Sequence, residues 1–104
     1  MALLGNPFVA NMSRQMSAEE LVQALRVDLA GEYEAIIGYE AHAMATADTR
    51  AQKVLRHIAD EEKQHVGELQ QLLCVLCPED GQKTDKGRQE IVSQQQQNFQ
   101  SPMQ

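Results

Sequence analysis

Two long stretches of the chain place apolar residues at steps of three and four, and the centre of each stretch is polar. The first stripe consists of Leu21, Leu25, Leu29, Glu32, Ile36, Tyr39 and Ala43. The second consists of Ala51, Leu55, Ile58, Glu62, His65, Leu69, Leu73 and Leu76. Because such steps keep side chains on one face of an α-helix, the pattern predicts two amphipathic helices with charged residues amid their apolar faces.

A short turn at residues 47–49 separates the two predicted helices. Two long helices joined by a short turn form an antiparallel hairpin, in which positions equally far from the turn lie side by side. Glu32 lies 15 residues before Ala47, and Glu62 lies 15 residues after it. At the helical rise of 1.5 Å per residue each is ~22 Å from the turn, so the two carboxylates are expected to be level.

Cap and turn residues set the expected boundaries. Ser17, with Glu20 three residues later, matches a capping box and begins the first helix. Pro78 and Gly81 are expected to end the second helix, with a weak helix following at about 84–96. The predicted organisation is an irregular arm at residues 1–16, the hairpin at 17–77, a turn and weak C-terminal helix at 78–97 and a loose tail at 98–104.

The composition limits the partners. A formal charge of −6 argues against nucleic acid or an anionic membrane as the principal partner and favours cations. No apolar run approaches the roughly 20 residues that span a bilayer, and the start lacks a signal-peptide pattern, so a cytoplasmic protein is expected. Cys74 and Cys77 are too few for a disulfide framework and are expected to pack between helices, with no redox or zinc role assigned.

Three polar side chains are expected to converge across the hairpin. His65 follows Glu62 by three residues on the same face, and Glu32 lies opposite them. Burying these charges in an aliphatic seam is costly unless a cation compensates, and carboxylates with imidazole suit iron or manganese. The alternative is a buried polar network, or a device that fixes coiled-coil register, without metal. Tyr39, two turns from Glu32 on its face, is a candidate to support the ligands.

One chain encodes half of the ligand set of a four-helix di-iron centre. Such centres use a Glu from each of two helices and a Glu-x-x-His from each of the other two. Two hairpins about a two-fold axis would supply four Glu and two His, enough for two ions sharing carboxylates. We therefore predict an all-α protein, an antiparallel two-helix hairpin plus a short C-terminal helix, which dimerises into a four-helix bundle.

The spacing of Glu32 and Tyr39, with the run DEEKQH at residues 60–65, resembles the encapsulated ferritin family over roughly residues 20–77. The resemblance implies a ferritin-like ferroxidase that oxidises Fe(II) to Fe(III) for iron storage or detoxification. It implies a di-iron cofactor shared across a dimer interface, a ring-like decamer of dimers, and a cytoplasmic encapsulin nanocompartment whose shell protein is a partner. The alternatives are a rubrerythrin-like peroxide reductase and a non-catalytic, metal-stabilised helical assembly protein.

The resemblance also implies roles for individual residues. It identifies Glu32, Glu62 and His65 as the catalytic iron ligands and Tyr39 as a supporting residue. It assigns Glu34 to an outer site that metal reaches first.

Overall fold

A computed structural model of the protein describes residues 14–98, which form three α-helices. They are α1 (Ala18–Ala45), α2 (Thr49–Leu76) and α3 (Pro78–Asn98). The all-helical class and the hairpin of α1 and α2 are confirmed. Among the described residues, no helix is both long enough and apolar enough to cross a membrane. Residues 1–13 of the predicted arm and 99–104 of the predicted tail lie outside the described part.

Both helices of the hairpin begin where side chains accept hydrogen bonds from the first backbone amides. The Ser17 hydroxyl accepts from the Glu20 amide at 3.2 Å, and the Glu20 carboxylate accepts from the Ser17 amide at 3.0 Å. The predicted capping box is therefore confirmed. At the start of α2, Asp48 Oδ1 accepts from the amides of Arg50 and Ala51 at 2.9 and 3.2 Å. These caps satisfy amides that have no partner within the helix.

The core between α1 and α2 is thin. Its buried residues are Ala24, Leu25, Ala43, Ala59, Val66 and Leu73. Among the described residues, no large side chain is fully buried. Two helices alone cannot surround a large side chain, so most of the apolar stripe of α1 is only half-buried.

The apolar residues of α2 form two neighbouring stripes rather than the single stripe that the sequence predicts. Ala59, Val66 and Leu73 are buried in the seam with α1. The second stripe, which we call the open stripe, consists of Val54, Ile58, His65, Leu69, Leu72 and Leu76. Its members are exposed or half-buried. His65 lies about 120° from Ala59 around α2, so one packed neighbour cannot cover both positions.

α3 begins at Pro78 and so starts earlier than the predicted Thr84. Proline at the first position of a helix loses no hydrogen bond, since that amide has no partner there, and its fixed φ suits the helix. The end of α2 at Leu76 agrees with the prediction. Pro78 therefore separates two helices instead of opening an extended turn.

α3 crosses close to the end of α2 and then leaves the hairpin. A Cβ built on Gly81 would lie 3.2 Å from Cys74 Cβ, so glycine permits the approach. An ion pair of 2.6 Å between Arg26 and Asp80 ties the first turn of α3 to α1. Every side chain from Gln82 to Gln97 is exposed. α3 thus buries little beyond its first turn.

Candidate metal centre

Glu32, Glu62 and His65 converge on one point of the hairpin. Each offers a ligand atom, and these three atoms all lie within 4.8 Å of one another. His65 Nδ1 is 3.6 Å from Glu32 Oε2 and 3.4 Å from Glu62 Oε2. Helix α1 supplies the first carboxylate, and the i,i+3 spacing on α2 supplies the other carboxylate and the imidazole.

The two carboxylates are shielded from water, whereas the imidazole is open to it. The side chains of Glu32 and Glu62 are 24% and 19% exposed, and that of His65 is 49% exposed. Within residues 14–98, neither carboxylate pairs with a Lys or Arg; each has only His65 as an ionic partner. Two anions held together this way favour a bound cation. Oxygen and imidazole nitrogen donors suit iron and manganese.

Comparison with known proteins identifies the family. Residues 19–76, more than half of the chain, match the family model described as "Ubiquinone biosynthesis protein COQ7". The crystal structure of the encapsulated ferritin domain from Pyrococcus furiosus superimposes with a TM-score of 0.74 and 36% identity, covering 85% of this chain and 90% of that one. This chain belongs to the encapsulated ferritin family, within the ferritin-like di-iron proteins.

The names of two curated relatives of this chain agree with the family. The chain is 37% identical over 86 residues to a ferritin-like-encapsulin shell fusion protein of Pyrococcus furiosus, covering 83% of this chain and 25% of the relative. It is 36% identical over 74 residues to the encapsulin nanocompartment cargo protein EncC of Myxococcus xanthus, covering 71% of this chain and 57% of the relative. The chain therefore spans a quarter and somewhat over half of the length of these relatives.

Other predicted site residues of the encapsulated ferritin chain lie apart from the convergent trio. Tyr39 and Glu34 line a hollow on α1 together with Gly31, Ala35, Gly38 and His42. Tyr39 is half-buried and Glu34 is exposed. Sequence reasoning assigned no site role to Glu68, which lines the same hollow as Glu32 and His65. Its position three residues after His65 is the signal that could have found it.

The helices of the encapsulated ferritin hairpin are tied together on the side opposite His65. Two polar contacts form this tie. They are Glu40 to Lys63 at 2.9 Å and Tyr33 to Gln70 at 3.4 Å. Lys63 lies about 160° from His65 around α2, so its contact leaves the imidazole side free. Hydrogen bonding to Glu40 raises the pKa of Lys63, which keeps the amine charged.

Proposed function

We propose that this chain is half of a ferroxidase, which oxidises Fe(II) to Fe(III) at a di-iron centre shared between two copies. The observation that carries the proposal is the convergence of Glu32, Glu62 and His65, with their ligand atoms within 4.8 Å of one another. Four-helix di-iron proteins bind two ions with four Glu and two His. One chain supplies only three such residues, which is half of that set. Membership of the encapsulated ferritin family supports the same reading.

Iron suits this donor set on chemical grounds. Carboxylate oxygens and one imidazole nitrogen bind Fe(II) without the thiolates that would select zinc or copper(I). Four carboxylates from two copies would offset the four positive charges of two Fe(II) ions. The half-exposed His65 would supply one imidazole nitrogen to the metal.

The open stripe supports a second copy as the source of the missing ligands. Val54 and Leu72 are 56% and 42% exposed, and both lie on the His65 side of α2. The hairpin alone fully buries no large side chain among its described residues. A second hairpin packed against the open stripe would cover this apolar surface and bring a second trio to the first. The resulting four-helix bundle is the dimer proposed here.

The proposed reaction balances with two ferrous ions as substrate. Each ion gives up one electron, and dioxygen takes two electrons and two protons to leave as hydrogen peroxide. Peroxide as acceptor would take two electrons and two protons to give two waters. Glu32 and Glu62 bind the ions and offset their charge, and His65 completes the donor set. We propose that Tyr39 supports the site and that Glu34 belongs to an outer site that metal reaches first.

The names of the relatives support a proposal for the partner and the location of this activity. One relative is an encapsulin cargo protein and the other a fusion to an encapsulin shell. We therefore propose an encapsulin shell protein as partner, a cytoplasmic nanocompartment as location, a ring-like decamer of dimers as the assembly, and iron storage or detoxification as the purpose. We do not carry over the ubiquinone biosynthesis named by the family model, because that match covers only the two-helix hairpin.

The direct test adds Fe(II) under air to metal-free protein while ferric absorbance and oxygen uptake are followed together. Glu62→Gln keeps the shape of the side chain and removes its charge, so oxidation should slow at least about tenfold. Glu79→Gln, at an exposed position of α3 that makes no ion pair within residues 14–98, is the control and should behave as wild type. Equal, slow oxidation in all three proteins would disprove the proposal.

The same assay separates the two alternatives. A rubrerythrin-like peroxide reductase would consume peroxide continuously with an added reductant. A structural metal site would bind iron without consuming oxygen.

A further inference from the structure

The ion pair between Glu40 and Lys63 crosses the hairpin next to the candidate metal centre. Lys63 Nζ lies 2.9 Å from Glu40 Oε2, and the lysine immediately follows Glu62 in α2. We propose that this pair is a positioning device, which fixes the register and rotation of α2 against α1 so that the metal ligands converge. The inference rests on the proposed function and assigns two further residues to that site.

A second contact between α1 and α2 supports a role of the ion pair in fixing their register. In the pair Glu40 and Lys63 the two residue numbers add to 103, and in the pair Tyr33 and Gln70 they also add to 103. Equal sums mean that these two contacts fit the same antiparallel register. Sliding α2 by one turn, about 5.4 Å, would break both contacts. The same movement would carry His65 away from Glu32.

Packing on the turn side of the centre adds little to this register. The seam toward the turn is filled by Ala43 and Ala59, which are both buried. Methyl side chains project little, so they interlock weakly and permit one helix to shift along the other. Polar contacts at defined positions then select one arrangement, as charged pairs do between helices of coiled coils.

The sign of the change in iron affinity distinguishes a positioning role of Lys63 from a direct electrostatic effect of its charge. Lys63 carries a positive charge and follows Glu62 directly in α2, so removing that charge should strengthen cation binding by electrostatics alone. Positioning predicts the opposite, because a misplaced α2 holds the ligands apart. Lys63→Met is therefore decisive, since it removes the charge and keeps an unbranched side chain that favours the helix.

The experiment measures anaerobic Fe(II) binding by calorimetry with the full chain. Lys63→Met and Glu40→Gln should bind iron about three- to fivefold more weakly, the range set by an exposed ion pair. The exchanged double variant, Glu40→Lys with Lys63→Glu, restores the pair with its ends reversed and should bind within about twofold of wild type. Lys53→Met is the matched control on α2, because Lys53 is exposed and makes no ion pair within residues 14–98.

Two measurements distinguish a general loss of folding from a loss of ligand positioning. Circular dichroism and thermal unfolding should show Lys63→Met as helical as Lys53→Met. The oxidation assay should show a raised half-saturating iron concentration with the maximal rate preserved, and Lys63→Arg should restore wild-type values.

Two results would overturn the proposal, and they are distinguishable. If wild type binds iron and Glu62→Gln does not, equal or tighter binding by Lys63→Met would overturn positioning and leave the proposed function intact. If wild type itself fails to bind iron, both inferences fail.

Discussion

Glu32 and His65 lie 33 residues apart in the sequence and on different helices, yet Glu32 Oε2 is 3.6 Å from His65 Nδ1. Each helix alone carries an incomplete donor set. The trio exists only when the hairpin is closed with α1 and α2 in the observed register. Folding and assembly of the site are therefore one event, and anything that binds the trio should stabilise the hairpin.

Metal should raise the unfolding temperature of this protein, and His65→Ala should remove the effect. A ligand at 100 times its dissociation constant stabilises a folded state by about 2.7 kcal/mol, if it binds only that state. His57→Ala is the matched control, since His57 lies on the same helix and faces Glu61 at 3.5 Å instead of the trio. The unfolding temperatures of wild type and of the two variants are measured with Fe(II) and with a chelator. A metal-induced increase that survives in His65→Ala would contradict the prediction.

The open stripe should be the surface that brings two copies together. Leu72→Gln places a polar amide on this stripe, two turns after His65, and should shift the protein from dimer to monomer because apolar burial is lost. Ile37→Gln changes a side chain of α1 that is 67% exposed outside the open stripe, and it should leave the dimer intact. Light scattering gives the mass of each variant. A dimeric Leu72→Gln would show that the copies meet elsewhere.

Because of the capping box, part of the folding stability should depend on pH in the acid range. Hydrogen bonds from Arg14 and from the Ser17 amide lower the pKa of Glu20 from 4.5 to about 2. Because the folded pKa lies below the unfolded one, the stabilisation is present above about pH 5 and is lost as pH falls through 2. The difference in unfolding temperature between wild type and Glu20→Gln should therefore shrink over that window. Glu19→Gln, at the neighbouring exposed position, should show no such change.

The two described glycines of α3 should respond differently to alanine. Gly87 has no atom within 4 Å of a built Cβ, so Gly87→Ala should stabilise the helix by about 1 kcal/mol through helix propensity. At Gly81 the same methyl would meet Cys74 Cβ at 3.2 Å and Sγ at 3.3 Å. Gly81→Ala should therefore gain less or become destabilising. Circular dichroism during thermal unfolding compares the two, and equal gains would contradict the close approach.

Sequence periodicity and local capping were enough to predict the hairpin and to bring Glu32 level with Glu62. Both depend on short-range rules, namely the helical repeat and the length of one turn. The rotation of α2 was not predictable in this way. Apolar residues occupy two adjacent stripes, and only the position of the partner helix decides that Val66 is buried while Leu72 is exposed.

The third helix shows a different limit. Proline is compatible both with ending one helix and with beginning the next, so Pro78 alone does not distinguish a turn from a new helix. The polar tie between Glu40 and Lys63 was also missed, because a contact between two long, exposed side chains depends on the relative rotation of their helices. The convergence of Glu32, Glu62 and His65 is visible in the structure, and their binding of iron stays a prediction.

α3 is packed against the hairpin up to Gly81 and is exposed beyond it, and this difference affects which amides open to solvent first. Beyond that point every described side chain up to Gln97 is exposed, so the helical form depends mainly on backbone hydrogen bonds, which are marginal for an isolated segment of this length. Amide protons of α3 should exchange with deuterium far sooner than those in the middle of α1. Slow exchange in this segment would then report directly on whatever covers it in a larger assembly.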